Sequence, residues 1–381
     1  MPACFDIVAS TGSYAVAIEP GLLEATLAGP GDRVFIVDEF LAGPLIEAGL
    51  DPIVIAASEQ AKSLDQMTDL IVAMRDRGTT RGTTLVAIGG GVIQDAAAFA
   101  ASIFMRGISW IYVPTTLLSM TDSCIGGKSS INVGKYKNIV GTFHPPEQVV
   151  IDPKLTGTLS AEQKAAGLCE AVKICLCHGP DTLDRYLALA PSISADAATM
   201  SEIVALSLQT KKWFIEIDEF DRAERLLLNF GHTFGHALEA ASAFRVSHGI
   251  AVGLGMLAAL HLGQAMGRDY SGFPHIAAFR SHVAELIGSV DGLSEALREL
   301  SVPALMDAFS SDKKHSRSHF VVIMVAGDGS VERRALPRDP ASVALLEEAF
   351  RRMLRDWSPA QPSQSDGGIA DAPLVQSEWH R

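Results

Sequence analysis

A strand that runs straight into three glycines and then into a helix constrains this chain more than any other stretch. Thr84-Leu85-Val86-Ala87-Ile88 reads as a buried strand, Gly89-Gly90-Gly91 follows without a spacer, and an alanine-rich helix is expected over residues 93–104. Strand, turn and helix in that order make half of a parallel crossover, since parallel strands cannot be joined by a hairpin. Glycines at such a turn let backbone amides approach a pyrophosphate at the positive end of the helix. The motif GGGVIQD lacks the GxGxxG spacing, so a tight turn without a ligand stands beside that reading.

The same alternation surrounds the turn. Arg33-Val34-Phe35-Ile36-Val37-Asp38, Pro52-Ile53-Val54-Ile55, Ser109-Trp110-Ile111-Tyr112-Val113 and Gln148-Val149-Val150-Ile151-Asp152 read as strands, and residues 62–77 have helical apolar spacing. Polar groups sit at other strand ends, where α/β sheets bind ligands: Asp38, Thr115 and Thr116, and Glu59 with Lys62. Asp38 suits ribose hydroxyls, its bland alternative being a solvated loop carboxylate. Beyond about residue 155 helices dominate, over 161–177, 181–189, 201–217, 222–243 and 248–266. Phe320-Val321-Val322-Ile323-Met324 and Val331-Glu332-Arg333-Arg334 read as a hairpin around Gly327-Asp328-Gly329, and a last helix is expected over 341–354.

The helical half carries its own signal. His232 and His236 are four apart and share a helix face, and His248 follows sixteen residues after His232, within reach of a neighbouring helix. Glu170 lies upstream in Gly167-Leu168-Cys169-Glu170-Ala171-Val172-Lys173. Two imidazoles and one carboxylate, with a position left open, make the ligand set of a catalytic zinc. Singly, each histidine reads as an ordinary core or surface residue. The upstream carboxylate and the framing glycines Gly231, Gly235 and Gly249 reverse that balance. HExxH is absent, which argues against a zincin protease. The expected organisation is an α/β, Rossmann-like, dinucleotide-binding domain over residues 1–154, an all-α metal-binding domain over 155–357, and a disordered tail rich in Pro, Ser and Gly over 358–381.

Between these signals lie Asp122-Ser123-Cys124-Ile125-Gly126-Gly127-Lys128 and Lys135-Tyr136-Lys137-Asn138, in a segment expected to be poor in regular structure. Lysine and asparagine beside glycine suit a phosphate, and the neighbours Ile125, Ile131, Ile139 and Val140 read as buried. Lys211, Lys212, Arg225, Lys313 and Lys314 read on their own as a solvated charged face. The net charge of −13 argues against a nucleic-acid partner and against an anionic membrane surface. Five cysteines without a CxxC pair fit a reducing, cytoplasmic setting, and neither a secretory pattern at the start nor an apolar run of bilayer length is seen.

Over residues 13–354 the chain resembles the 3-dehydroquinate synthase family of sugar phosphate cyclases. The resemblance rests on GGGVIQD, MRGI, PTTLL, DSCIGGK, KNIVGTFHPP, GLCEAVK, LLNFGHTFGHALE and HGIAVGLGM, in that order. It implies a homodimer with NAD on the first domain and zinc, or cobalt, between the two. Glu170, His232 and His248 are the implied metal ligands. NAD would lie against Gly89, Gly90, Gly91 and Asp95, with Asp122 touching both NAD and substrate. The substrate phosphate would meet Lys128, Asn138, Asn229, His236, one of Lys313 and Lys314, and Arg106 from a neighbouring subunit. Lys137 and Lys173 would line the reacting sugar, and His236 is the side chain suited to proton transfer. Lys211 and Arg225 would meet a substrate carboxylate, a pairing that favours a keto-acid phosphate and hence a phosphate-eliminating carbon–oxygen lyase of the shikimate pathway.

The chain departs from the family pattern at two places: Ile250 stands where the family has Glu, and Gln94 where it has Gly. The insert Val133-Gly134-Lys135-Tyr136 looks more like relatives that make valiolone-type cyclitols. A diverged cyclase acting on sedoheptulose 7-phosphate, or an aminodehydroquinate synthase, is therefore the alternative. A metal-dependent polyol dehydrogenase shares the two-domain plan but has no use for Lys128, Lys137 and the Lys313-Lys314 pair.

Overall fold

The computed structural model describes residues 3–10, 12–134 and 136–357, so Lys135 and the tail expected after residue 357 lie outside the described residues. The first part alternates strands and helices: β1 (Ala3–Ala9), β2 (Gly12–Ile18), α1 (Leu22–Leu27), β3 (Arg33–Asp38), α2 (Glu39–Glu47), β4 (Ile53–Ile55), α3 (Leu64–Asp76), β5 (Thr84–Gly89), α4 (Gly91–Ile103) and β6 (Trp110–Pro114). A small hairpin, β7 (Ile131–Val133) and β8 (Tyr136–Val140), precedes β9 (Gln148–Ile151). The main sheet runs β1-β2-β9-β6-β5-β3-β4, and only the β1–β2 edge pair is antiparallel. In β3 and β5 every residue after the first is buried, as strands covered by helices on both faces must be. The β1–β2 hairpin has no counterpart in the sequence reading. In β1 only Ile7 is fully buried, so the strand lacks the apolar run that marks the central ones.

Helices then take over: α5 (Ala161–His178), α6 (Pro180–Ala188), α7 (Ala197–Ile217), α8 (His232–Ala241), α9 (His248–Ala265), α10 (Pro274–Gly288), α11 (Leu293–Arg298) and α12 (Val302–Ser310). A hairpin of β10 (His319–Val325) and β11 (Val331–Pro337) and a final α13 (Pro340–Trp357) complete the helical part, which is thus not purely α. Ser160 and Gln163 form a capping box that starts α5. In α9 every residue from Gly249 to Gly263 is buried, the mark of a helix surrounded by others. No described helix is long and apolar enough to cross a membrane.

Two expectations need correction. The helix anticipated over 222–243 is broken into a 3-10 turn, Glu224–Asn229, and α8. Gly231 between them takes φ +79°, a left-handed conformation that costs glycine nothing. The segment expected to be irregular is ordered as a π-turn, Ser119–Ser123, followed by β7–β8. Ile125 and Ile131 are buried there as expected, whereas Ile139 is 62% exposed on the outer face of β8.

Candidate active site

β3, β5 and β6 end on one side of the sheet, at Asp38, Gly89 and Pro114. Gly90 caps α4, and a methyl group at Gly91 would meet open space, so the turn offers free amides to a ligand. Thr115 donates its N–H to Gly89 O at 3.1 Å, and Thr116 pairs with Ser119 Oγ at 2.8 Å, tying the neighbouring strand end to the turn. Asp38 is not a solvated loop carboxylate: it is buried and caps α2 by accepting from Phe40 N at 3.0 Å. Lys62 reaches Asp95 at 2.8 Å and Asn138 Oδ1 at 3.1 Å, and Glu59 Oε1 at 3.5 Å. This cross-link joins the α4 side of the cleft to the β7–β8 hairpin.

Opposite the turn, α5, α8 and α9 bring Glu170, His232 and His248 together. The approach depends on a missing side chain. A methyl group at Gly249 would sit 2.6 Å from Ala166 Cα, so only glycine lets α9 lie this close to α5. Glu170 is 0% exposed, and its Oε1 stands 3.7 Å from Nε2 of both His232 and His248. That oxygen is buried with no hydrogen-bond partner among the described residues. His232 Nδ1 donates to Phe230 O at 3.3 Å and His248 Nδ1 to Glu239 Oε2 at 3.1 Å, which turns both Nε2 atoms towards Glu170. Burial and the surrounding cations hold His232 well below the usual imidazole range, and so neutral. An orphaned carboxylate oxygen facing two imidazole Nε2 atoms fits a divalent cation.

A cavity of about 250 Å³ opens beside this trio. Asp122 stands in its wall with Lys173 and Lys211 on either side. Lys173 Nζ is 3.5 Å from Asp122 Oδ2 and also pairs with Glu170, while Lys211 pairs with Asp122 Oδ1 and donates to its backbone O at 2.6 Å. Burial alone would raise the Asp122 carboxyl, but the two ammonium groups outweigh it and hold it well below the usual range. Arg225 is only 4% exposed and donates to Glu219 O at 2.5 Å. Among the described residues no carboxylate lies within 4.0 Å of it to form an ion pair. Gly126 makes room for it: at φ +102° it carries no Cβ, which would strike the guanidinium. Lys211 and Arg225 are therefore not a solvated face, as their spacing alone suggested; both are buried at the cavity.

Lys128 pairs with Asp221 at 2.8 Å in the same cavity, where Asn229 donates to Leu226 O at 3.1 Å. Lys314 lies 2.9 Å from Asp312 and 3.3 Å from His236 Nδ1, which itself is 3.1 Å from Asp312. Burial lowers the titration of His236 and of Lys314. Lys313 instead turns to Asn138 O at 3.4 Å, and Lys137 to Glu59 at 3.6 Å and to the face of Phe244, 3.4 Å from its ring centroid. Arg106 stands apart, exposed on the turn after α4 with φ +73° and no polar partner among the described residues. Sequence reasoning passed over Glu239 and Asp221, although Glu239 follows His236 by three residues on the same helix. A larger hollow of about 470 Å³ lies at the opposite ends of the strands, between Tyr14, Trp110 and His144. No group of three metal-ligating side chains lies there among the described residues.

Comparison with known proteins bears on this geometry. Profiles described as 3-dehydroquinate synthase N-terminal and C-terminal match residues 52–166 and 167–315. A 3-dehydroquinate synthase of Latilactobacillus sakei subsp. sakei (strain 23K) is 32% identical over 360 residues, covering 90% of this chain and 98% of the relative. Among solved structures, 2-deoxy-scyllo-inosose synthase complexed with carbaglucose-6-phosphate, NAD+ and Co2+ aligns with TM-score 0.77 at 22% identity, covering 92% of this chain and all of the other. 2-epi-5-epi-valiolone synthase from Streptomyces hygroscopicus subsp. jinggangensis 5008, with NAD+ and Zn2+ bound, aligns with TM-score 0.72 at 23% identity over 90% of this chain and 97% of the other. At such identities the two structures speak for the fold alone.

Proposed function

The chain belongs to the 3-dehydroquinate synthase family, and from that premise we propose that it is a phosphate-eliminating cyclase acting on a seven-carbon keto-acid phosphate, 3-deoxy-arabino-heptulosonate 7-phosphate. NAD would rest on Gly89, Gly90 and Gly91, with Asp95 and Asp122 at its reactive end. Zinc, or cobalt, would be held by Glu170, His232 and His248. When bound, the cation supplies Lewis acidity and NAD a reversible hydride acceptor, so that no NADH accumulates.

The observation that carries the keto-acid assignment is Arg225. A nearly buried guanidinium without an ion-pair partner among the described residues, facing a cavity beside Lys211, suits an anion, and a neutral sugar has no carboxylate to offer it. Lys128, Asn229, His236 and Lys314 would receive the phosphate at the other side of the cavity. Asn138 and Lys137 would approach it from the β7–β8 hairpin, and Lys313 would steady that hairpin through Asn138 O. His236, neutral near pH 7, would accept or return a proton at Nε2 while Asp312 holds Nδ1. Lys173, fixed between Asp122 and Glu170, orients the reacting hydroxyl. These side chains work by holding the substrate and offsetting its charge more than by bond-making.

The homodimer and the cytoplasmic setting belong to this proposal, with Arg106 reaching the phosphate site of a partner subunit. A second reading, a cyclase for sedoheptulose 7-phosphate, draws on Ile250: this residue is wholly buried and puts an apolar group beside His248. Incubation with each substrate separately, reading inorganic phosphate, NADH and the ring product, decides between them. Phosphate release from the keto acid without NADH accumulation is the expected result. Release from the heptulose phosphate alone overturns it.

A further inference from the structure

Gln94 occupies the first turn of α4, and its side chain is engaged in both directions. Nε2 donates to Ser123 O at 2.6 Å, and Ser123 Oγ donates to Gln94 Oε1 at 2.6 Å. The residue is 5% exposed and lines the cavity together with Ser123. Ser123 closes the π-turn Ser119–Ser123, and its chain neighbour is Asp122. The start of the turn is tied to the β6 end by Thr116, which pairs with Ser119 Oγ at 2.8 Å, and its middle is anchored from the helical side: Ser207 on α7 donates to Thr121 O at 2.8 Å, and Thr121 donates to Gly167 O on α5 at 3.1 Å. Gln94 thus holds the last residue of this turn, next to Asp122, from the nucleotide side of the cleft.

We propose that Gln94 is a positioning residue that sets specificity at the anionic end of the cavity: by clamping Ser123 it fixes Asp122, and through Asp122 the ammonium group of Lys211. The proposal rests on the keto-acid reading above. Lys211 is bound to Asp122 twice, through the side chain and through the backbone O, so it goes where that residue goes. A substrate carboxylate placed between Lys211 and Arg225 is then gripped only while Asp122 stays in register. The phosphate end is independent of the clamp, because Lys128 and Asn229 are held by Asp221 and Leu226. A shorter side chain at residue 94 would release the turn and enlarge the cavity, weakening the hold on a carboxylate while sparing the hold on phosphate.

The test uses the full chain loaded with NAD and zinc, in Gln94→Ala, Ser123→Ala and double-variant forms. KM for the keto-acid phosphate should rise about tenfold in each single variant and no further in the double, because the two side chains act as one unit. The inhibition constant of inorganic phosphate should stay within about twofold. Ser123→Thr, which keeps the hydroxyl, should restore KM. An unchanged KM in Gln94→Ala, or an equal rise in KM and in the phosphate constant, overturns the proposal and leaves the keto-acid reading standing. Failure of the wild-type protein to release phosphate from the keto acid overturns both. Should Gln94→Ala not fold, the Ser123→Ala and Ser123→Thr pair carries the same comparison.

Discussion

The two walls of the cleft are built from different material. On the sheet side, the groups offered to a ligand are backbone amides: the glycine turn between β5 and α4, set on a strand buried after its first residue. On the helical side they come from charged side chains taken out of water, where isolated charges are costly. Asp122 is offset there by Lys173 and Lys211, but two groups are left over. Among the described residues Glu170 Oε1 lacks a hydrogen-bond partner, and Arg225 is in no salt bridge, its nearest carboxylates acting on it only from a distance. Each residual charge specifies the sign of what should bind it, a cation at Glu170 and an anion at Arg225. The backbone wall needs no such compensation and would be stable empty.

The largest expected effect falls on the helical wall. His232→Ala should lose the bound zinc, measured by metal analysis of purified protein, and lower turnover by about a thousandfold or more, because a two-ligand site cannot compete for the ion. Full zinc content and activity in that variant would remove the contrast between the walls. Next, Lys211→Ala should raise KM for the keto-acid phosphate by roughly tenfold to a hundredfold, the equivalent of about 1.5–3 kcal/mol for a charged hydrogen bond. An equal change for a neutral heptulose phosphate would separate Lys211 from the carboxylate.

The sheet wall should respond more mildly. Gly91→Ala points its methyl group into open space, so the ligand-free protein should unfold at the same or a slightly higher temperature, helped by the better helix former. Its affinity for NAD, read by NADH fluorescence, should fall about tenfold as the methyl group meets the pyrophosphate. Unchanged affinity would mean that NAD lies elsewhere.

A last test, which leaves the catalytic groups untouched, sharpens the contrast in stability. His282 on α10, 8% exposed and 3.0 Å from Tyr186 OH, is lowered by burial to about 4. Between pH ~6.5 and about 4 the unfolded imidazole takes up a proton that the folded one refuses, so the unfolded state binds more protons and stability falls as pH drops. The loss should approach about 3 kcal/mol across that window and stop below it. His282→Gln should flatten this part of the pH–melting curve, and an identical slope in both proteins would assign it to other groups.

Legibility followed the same division. The strand–glycine–helix turn could be read directly, because its conformational demands act between adjacent residues. The trio Glu170, His232 and His248 could be anticipated from residue types and the family resemblance, and the fold brings it together; the i, i+4 spacing by itself pairs His232 with His236 instead. Lys211 and Arg225, fourteen residues apart, looked like surface charge. Nothing local announced that the π-turn would carry Asp122 between α5 and α7. Glu239 and Asp221 went unnoticed because a carboxylate holding a histidine or a lysine has no pattern of its own. The β1–β2 edge hairpin was missed for want of an apolar run, and the helix expected over 222–243 broke at Gly231, where a left-handed residue outweighed the periodicity.

Composition, periodicity and motif order settled the class of fold, the presence of a nucleotide-type turn and the set of side chains able to bind a metal, since these depend on interactions a few residues long. Only the packing of α5, α7, α8 and α9 decided which charges were buried together, and that among the described residues Glu170 Oε1 was left without a hydrogen-bond partner and the Arg225 guanidinium without a salt bridge. Burial makes electrostatics strong and position-dependent, and burial is a property of the assembled chain.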